Sequence, residues 1–461
     1  MIEPLWSSAD IAAATRGRLS GPSFMAGGVS IDSRQVAPGD LFVALAGVRD
    51  GHDFIATALQ AGAAGSLASK PSPGSAVVVD DTLVALADLG AAARDRASQA
   101  RRGAVTGSVG KTSVTQAVLA GLKLAGDAHG SVKSFNNHIG VPLTLARMPR
   151  TTRRAVFEMG MNHAGEIAPL SRLVRPHAVA ITNIEAVHVE NFSDGAAGVA
   201  RAKAEIFEGL EARGAAILNA DNPWTAELTR AAQAKSGQVR TFGAAAGADA
   251  QLVSFSATPR GAEVKSRIDG APLDYTLRQS AAHWGPMSLC ALLMLDALGL
   301  DLDLAVRALA DFEPLAGRGV TMTRLGPRGA FTLVDESYNA SPVSVAAALT
   351  ALGARPARGR HIAALTDMLE LGADAPARHA ALAGEVEAAG VDLVFCAGPL
   401  MRSLWDALPK SVRGAWAPAA ADLAPALNAA VAAGDVVMIK GSNASKASLL
   451  VEALVTMSEA A

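Results

Sequence analysis

The densest chemistry in this chain lies in Gly107-Ser108-Val109-Gly110-Lys111-Thr112-Ser113. An apolar run, Ala104-Val105-Thr106, precedes it, and a helical pattern continues to about residue 124. Glycines let backbone N–H groups close around phosphates, and the following helix start adds the positive end of its dipole. Lys111 then reaches terminal phosphates and Thr112 offers a hydroxyl to Mg²⁺, so a nucleoside triphosphate is the expected ligand. The spacing departs from the usual P-loop, which places glycine where Val105 stands. Phosphoryl chemistry also needs an acidic residue on a neighbouring strand, and the run 155–157 delivers Glu158 at a strand end. Two readings of Glu158 stand, a magnesium ligand and a solvated loop carboxylate. His188 follows Thr182-Asn183-Ile184 in a loop, and Lys203 lies in a helical stretch. From residue type alone these are an ordinary surface histidine and a solvated helix charge.

Such groups need a scaffold, and the surrounding sequence supplies strands and helices in alternation. Short apolar runs and turn-rich joints occupy the first hundred residues and read as a small α/β module. A helical stretch over 83–99 closes it. From Gly103 onward, strand candidates at 104–106, 155–157, 178–184 and 215–218 are separated by helical segments, which predicts a mostly parallel sheet. The stretch 251–277 alternates and contains tight turns, which predicts a small antiparallel patch. After Gly319 the rhythm restarts, with strands expected at 331–334, 361–365, 393–397 and 436–439. The expected fold is therefore α/β with three domains: 1–100 a small α/β domain, 101–314 a P-loop-type central sheet, and 315–461 a Rossmann-like domain. Open α/β sheets place ligands beyond their strand C-terminal ends, where the polar strings of the last segment fall.

Composition narrows the class of partner. With 461 residues, 41 Lys+Arg against 43 Asp+Glu and a net charge of −2, the chain lacks the basic excess of a nucleic-acid binder. Half the residues are hydrophobic and 18% charged, as in globular proteins. Two cysteines, Cys290 and Cys396, make neither a disulfide framework nor a zinc motif. The beginning of the sequence has no basic and apolar leader pattern, and no apolar window reaches bilayer length. A cytoplasmic protein with no membrane insertion is expected.

The motifs taken together resemble the Mur ligases. The resemblance rests on Thr106 to Thr112, Phe135-Asn136-Asn137-His138-Ile139-Gly140-Val141-Pro142, Glu158-Met159-Gly160-Met161-Asn162, and Thr182-Asn183-Ile184 before His188. It extends to Asp32-Ser33-Arg34 and Asp50-Gly51-His52-Asp53 near the start. Towards the end it takes in Asp335-Glu336-Ser337-Tyr338-Asn339, Asp367-Met368-Leu369-Glu370 and Lys440-Gly441-Ser442. It is strongest to the branch that joins a D-alanyl-D-alanine dipeptide to a UDP-linked muramyl tripeptide. The resemblance implies an ATP- and Mg²⁺-dependent ligase that activates a carboxylate as an acyl phosphate, and a monomer is expected. It implies that Glu158, His188 and Thr112 hold metal, that Lys203 is carbamylated by CO₂ and completes the metal site, and that Lys111 and Asn137 serve the reaction. Gly107, Ser108, Val109, Gly110, Lys111, Thr112, Ser113, Asn219, Asp221, His283, Arg318, Asp335, Tyr338 and Asn339 would then contact the nucleotide. Ser33, Arg34, Gly47, His52, Asp53, Asn136 and Asn137 would contact the UDP-peptide. After His283 the sequence departs from the family pattern, with Gly285-Pro286-Met287 where a further asparagine is usual.

Bland readings stand beside several of these. Asn136 and Asn137 are equally good turn formers, Asp50-Gly51 makes a loop in any protein, and Ser341-Pro342 is a helix cap and first turn. Two other functions compete: a related ligase adding a single amino acid or glutamate to folate, and a P-loop NTPase acting as a switch or binding module.

Overall fold

The computed structural model describes residues 4–132, 134–185, 191–192, 194–235, 238–258 and 260–459. These fall into two compact units, 1–184 with 200–251 and 288–309, and 185–199 with 252–287 and 310–461.

In the first unit, a five-stranded sheet is built from β1 (Arg18–Ser20), β2 (Gly28–Ser30), β3 (Asp40–Val43), β4 (Gly65–Ala68) and β5 (Ala76–Val78). Its order is β1-β5-β4-β3-β2, parallel except for the β1–β5 edge. Helix α1 (Thr82–Arg96) follows, capped by Asp81, whose carboxylate accepts the N–H groups of Leu83 and Val84. Expected at 83–99, it instead ends at Arg96.

The same unit holds a run of parallel strands: β6 (Arg101–Thr106), β7 (Ala128–Gly130), β8 (Arg154–Glu158), β9 (Ala178–Ile181), β10 (Ala215–Asn219) and β11 (Gln238–Gly243). Their order is β11-β10-β9-β6-β8-β7. The central strands are apolar throughout, as strands covered on both faces must be; Val105, Phe157, Val179 and Ile217 are fully buried. Between them run α2 (Lys111–Leu124), α3 (Gly140–Ala146) and α4 (Ile167–Val174). Sequence reading separates the first module from this sheet near residue 100. In the fold the two share packing: Leu86 and Leu89 of α1 bury with Leu143 and Ala146 of α3, and Trp6 Nε1 donates to Ala146 O at 2.8 Å. The change near residue 100 is a change of sheet within one continuous core.

Strand β12 (Ala250–Thr258) starts in the first unit, pairing parallel with β11, and runs into the second. There β13 (Gly261–Ile268) and β14 (Ala271–Leu277) form the expected antiparallel hairpin. The remaining strands are β15 (Val320–Gly326), β16 (Gly329–Glu336), β17 (His361–Thr366), β18 (Leu393–Ala397), β19 (Arg413–Ala417) and β20 (Val436–Lys440). Their sheet runs β15-β16-β20-β17-β18-β19, parallel except for the hairpin β15–β16. Buried apolar clusters line both faces, one including Leu349, Leu365 and Leu404, the other Leu333, Ile439 and Leu450.

Candidate active site

The phosphate-type loop turns where glycine is required. Gly107 has φ +148°, and a Cβ there would lie 1.9 Å from Thr182 Oγ1; Gly110, at φ +83°, opens α2 with no side-chain cap. A glycine turn leading into a helix start is the arrangement that receives an anion, with the positive end of the helix dipole behind it. Lys111 Nζ donates to Gly107 O at 2.8 Å and Ser108 O at 3.3 Å, so the ammonium bridges the loop.

The loop is held by residues past the ends of β9 and β10. Thr182 Oγ1 donates to Val109 O at 2.5 Å, and Ser108 N–H donates to Asn183 O at 2.8 Å. Asn222 Nδ2 donates to Asn183 Oδ1 at 2.6 Å and Ile184 O at 3.1 Å, while Asn219 Nδ2 donates to Thr182 O at 3.2 Å. Thr182, Asn183 and Asn222 were not singled out by residue type. Thr182 and Asn183 stand inside a string that carried the resemblance, but only the fold shows the Thr182 hydroxyl, the Asn183 carbonyl and the Asn222 amide bracing the loop. Asp221 turns away from that network, its carboxylate accepting from Ala244 and Ala245 N–H at 2.8 and 2.7 Å.

Glu158 ends β8, as expected, and is buried. Oε1 accepts from Asn136 Nδ2 at 2.7 Å, while Oε2, equally buried, has no hydrogen-bond partner among the described residues. A buried carboxylate oxygen left unpaired is costly, and a cation answers that cost. This disposes of the solvated-loop reading. Lys203, near the end of α5 (Ala196–Ala204), is also buried. Loss of solvent, with Lys111's charge adding to it, holds its amine well below the usual lysine range. No cluster of three or more His, Cys, Asp or Glu side chains fit to hold a metal occurs among the described residues. A single buried carboxylate oxygen, as at Glu158, suits Mg²⁺ shared with phosphate oxygens better than an all-protein cage. His188 lies outside the described residues.

The amides divide. Asn136 meets Glu158, whereas Asn137 Oδ1 accepts from Ile139 and Gly140 N–H at 3.1 and 2.9 Å and shapes the start of α3. In the first module, His52 is fixed from both sides. Its Nε2 accepts from Ser69 N–H at 2.9 Å and must carry the lone pair, so Nδ1–H donates to Asp50 Oδ1 at 2.5 Å. Lys70 Nζ lies 2.5 Å from the same carboxylate, and these two partners hold Asp50 far below the usual carboxylate range. Arg34, largely exposed, forks onto Asp32 at 2.9 and 2.8 Å; Ser33, Gly47 and Asp53 lie on the same exposed or half-exposed loops.

In the second unit the three polar strings meet at the C-terminal ends of β16, β17 and β20. Asp335 is buried, accepting from Gly317 N–H at 2.9 Å and from Ser337 N–H and Oγ–H at 3.1 and 2.6 Å. It thereby shapes the turn that carries Arg318, whose guanidinium lies 4.0 Å above the Tyr338 ring. Lys440 Nζ donates to Asn339 O at 3.0 Å and lies 3.5 Å from Glu336; burial lowers its basicity although Glu336 opposes this. Ser442 Oγ accepts from Leu369 N–H at 3.0 Å. Lys440, Glu336 and Ser442 sit inside strings quoted for the resemblance, yet none was chosen individually. His283 is exposed in this unit, beside the buried Trp284.

Comparison with known proteins decides the family. Residues 26–95 match the Mur ligase family, catalytic domain, residues 105–294 the Mur ligase middle domain, and residues 322–443 the Mur ligase, glutamate ligase domain. A UDP-N-acetylmuramoyl-tripeptide--D-alanyl-D-alanine ligase of Escherichia coli is 36% identical over 387 residues, 83% of each chain. The chain belongs to the Mur ligase family. A ligase of the same name from Rickettsia prowazekii is 31% identical, covering 92% of this chain and 94% of that one. A crystal structure of MurF from Acinetobacter baumannii superposes with a TM-score of 0.86 at 27% identity, covering 98% of this chain and 99% of that one. In this Mur ligase the braced glycine loop, the Glu158 carboxylate and Lys203 all belong to the first unit, and the Asp335–Lys440 strings belong to the second.

Proposed function

We propose that this Mur ligase joins D-alanyl-D-alanine to the terminal carboxylate of a UDP-N-acetylmuramoyl-tripeptide, with ATP converted to ADP and phosphate. The carrying observation is similarity over 83% and 92% of this chain to two relatives that bear that name, with family matches in all three segments. A carboxylate oxygen attacks the γ-phosphorus, the bond to the β-phosphate oxygen breaks and ADP leaves. The dipeptide amine then attacks the acyl carbon, loses a proton, and phosphate departs from the tetrahedral intermediate.

The residues divide these tasks. Loop N–H groups and Lys111 screen phosphate charge so that two anions can meet. Gly107 to Gly110 form the loop and Lys111 to Ser113 the first turn of α2, with Asn219, Asp221, His283, Arg318, Asp335, Tyr338 and Asn339 as the further nucleotide set. Glu158, Thr112, His188 and Lys203 are the Mg²⁺ set, and the unpaired Glu158 oxygen supports it. When bound, Mg²⁺ supplies Lewis-acid neutralisation of phosphate and acyl oxygens. Lys203 Nζ, in the neutral form that burial favours, adds to the carbon of CO₂; a C–N bond forms, one C=O electron pair moves to oxygen, and a proton leaves the nitrogen. Asn136 orients Glu158. Asp50, His52 and Lys70 fix the loop that presents Gly47 and Asp53, and with Ser33 and Arg34 this face takes the UDP-peptide. The functional segments are cut near residues 100 and 314, and the enzyme works as a cytoplasmic monomer; no described helix is long and apolar enough to cross a membrane.

The test labels the tripeptide's terminal carboxylate with ¹⁸O. Turnover with ATP and dipeptide should place one ¹⁸O in the released phosphate. Unlabelled phosphate formed together with amide product would rule out the acyl phosphate, and unlabelled phosphate with no amide product would favour a hydrolytic NTPase.

A further inference from the structure

The residue following the helix of Lys203 does something its sequence setting does not reveal. Glu205 opens a 3₁₀ turn, Glu205–Gly209, directly after α5. Its carboxylate accepts three backbone N–H groups from the start of α4: Gly165 at 2.5 Å, and Ile167 and Ala168 at 3.1 Å each. These are donors the helix cannot satisfy itself, and Glu166, the local cap residue, makes no side-chain cap bond. A second contact lies one turn on. Ser171 Oγ donates to Ile206 O at 2.5 Å and accepts from Gly209 N–H at 3.0 Å, and a Cβ on Gly209 would lie 2.0 Å from Ser171 O. The 3₁₀ turn is thus stitched to α4 along its length.

The chain entering α4 is the one that leaves Glu158. Residues 159–166 join the end of β8 to α4, and Gly160 N–H is fixed by Asn136 O at 2.8 Å, the same residue whose amide meets Glu158. The Glu205 carboxylate therefore ties the segment after Glu158 to the segment after Lys203. We infer that Glu205 is a positioning residue for Lys203: it sets where the buried amine stands with respect to Glu158 and so permits the amine's carboxylation and its use at the metal site. The inference rests on the carbamate reading of Lys203 given above.

The test uses the full-length enzyme with ¹³C-bicarbonate. The unmodified protein should show one carbamate carbonyl resonance, lost in K203A. In E205A that resonance should fall strongly, kcat should fall about 10- to 100-fold, as for residues that orient metal ligands, and KM for ATP should stay within about threefold. E205Q keeps one acceptor oxygen and should be intermediate. As control, R172A removes the exposed Arg172–Glu208 pair between the same two segments, 3.0 Å apart, and should leave resonance and kcat unchanged. Should E205A not fold, E205Q decides on the same readouts. A full resonance and wild-type kcat in the folded Glu205 variants overturn the inference, as does an equal loss in R172A. Absence of a resonance from the unmodified enzyme counts instead against carbamylation itself.

Discussion

At the scale of single residues, Lys203 separates chemistry from packing most sharply. A lysine amine almost wholly removed from water, and near the Lys111 charge, is costly unless it is neutral or converted to an anion. Lys203→Ala should lower kcat by at least about 100-fold, the scale of losing a group that stabilises transition-state charge. Short carboxylic acids that fit the vacated space should restore part of the rate. Steady-state kinetics with and without acetate checks this, and full activity in the variant contradicts the assigned role. Residue type alone reads Lys203 as a solvated helix charge, because burial is a property of the fold. The resemblance selected it, and its burial is what the structure adds. Asn137 runs the other way, since its turn-forming reading is the one its two backbone bonds display.

At the scale of elements, strands and glycine turns were legible because their signals are local: apolar runs of strand length, and glycines at positions where φ is positive. The bracing of the loop by Thr182, Asn183 and Asn222 was not, because those bonds join the ends of three strands far apart in sequence. Two half-buried histidines, one within a strand and one just before a strand, give the elements a pH signature. His129, in β7, donates through Nε2 to Thr144 O at 2.7 Å, and His177, just before β9, accepts from Arg102 N–H at 3.1 Å. Loss of solvent lowers both from an ordinary 6.5 to about 4, with Arg102 also acting on His177. The unfolded chain then binds more protons than the fold between these values, so stability falls as pH drops from about 6.5 and levels off below about 4. Thermal melting across that range should show a falling Tm that H129Q flattens in part. A Tm independent of pH between 4 and 6.5 is the contrary result.

At the scale of the whole molecule, a net charge of −2 on a protein of two polyanionic substrates follows from where the cations are. Lys111 and Lys440 are held inside loops by carbonyl acceptors, and Arg318 lies against Tyr338; attraction is local, and no basic surface is needed. The sequence revealed three α/β segments through their repeating rhythm. It concealed that the first two share a core, because Trp6, Leu89 and Leu143 meet only after folding. What the whole chain does turns on its acceptor. The decisive measurement is ADP release with UDP-N-acetylmuramoyl-tripeptide and ATP, comparing D-alanyl-D-alanine with single amino acids at equal concentration. Turnover that depends on the dipeptide, with its amide product formed in step with ADP, is the expected result; preference for a single amino acid, or equal ADP release with no acceptor, would contradict the account.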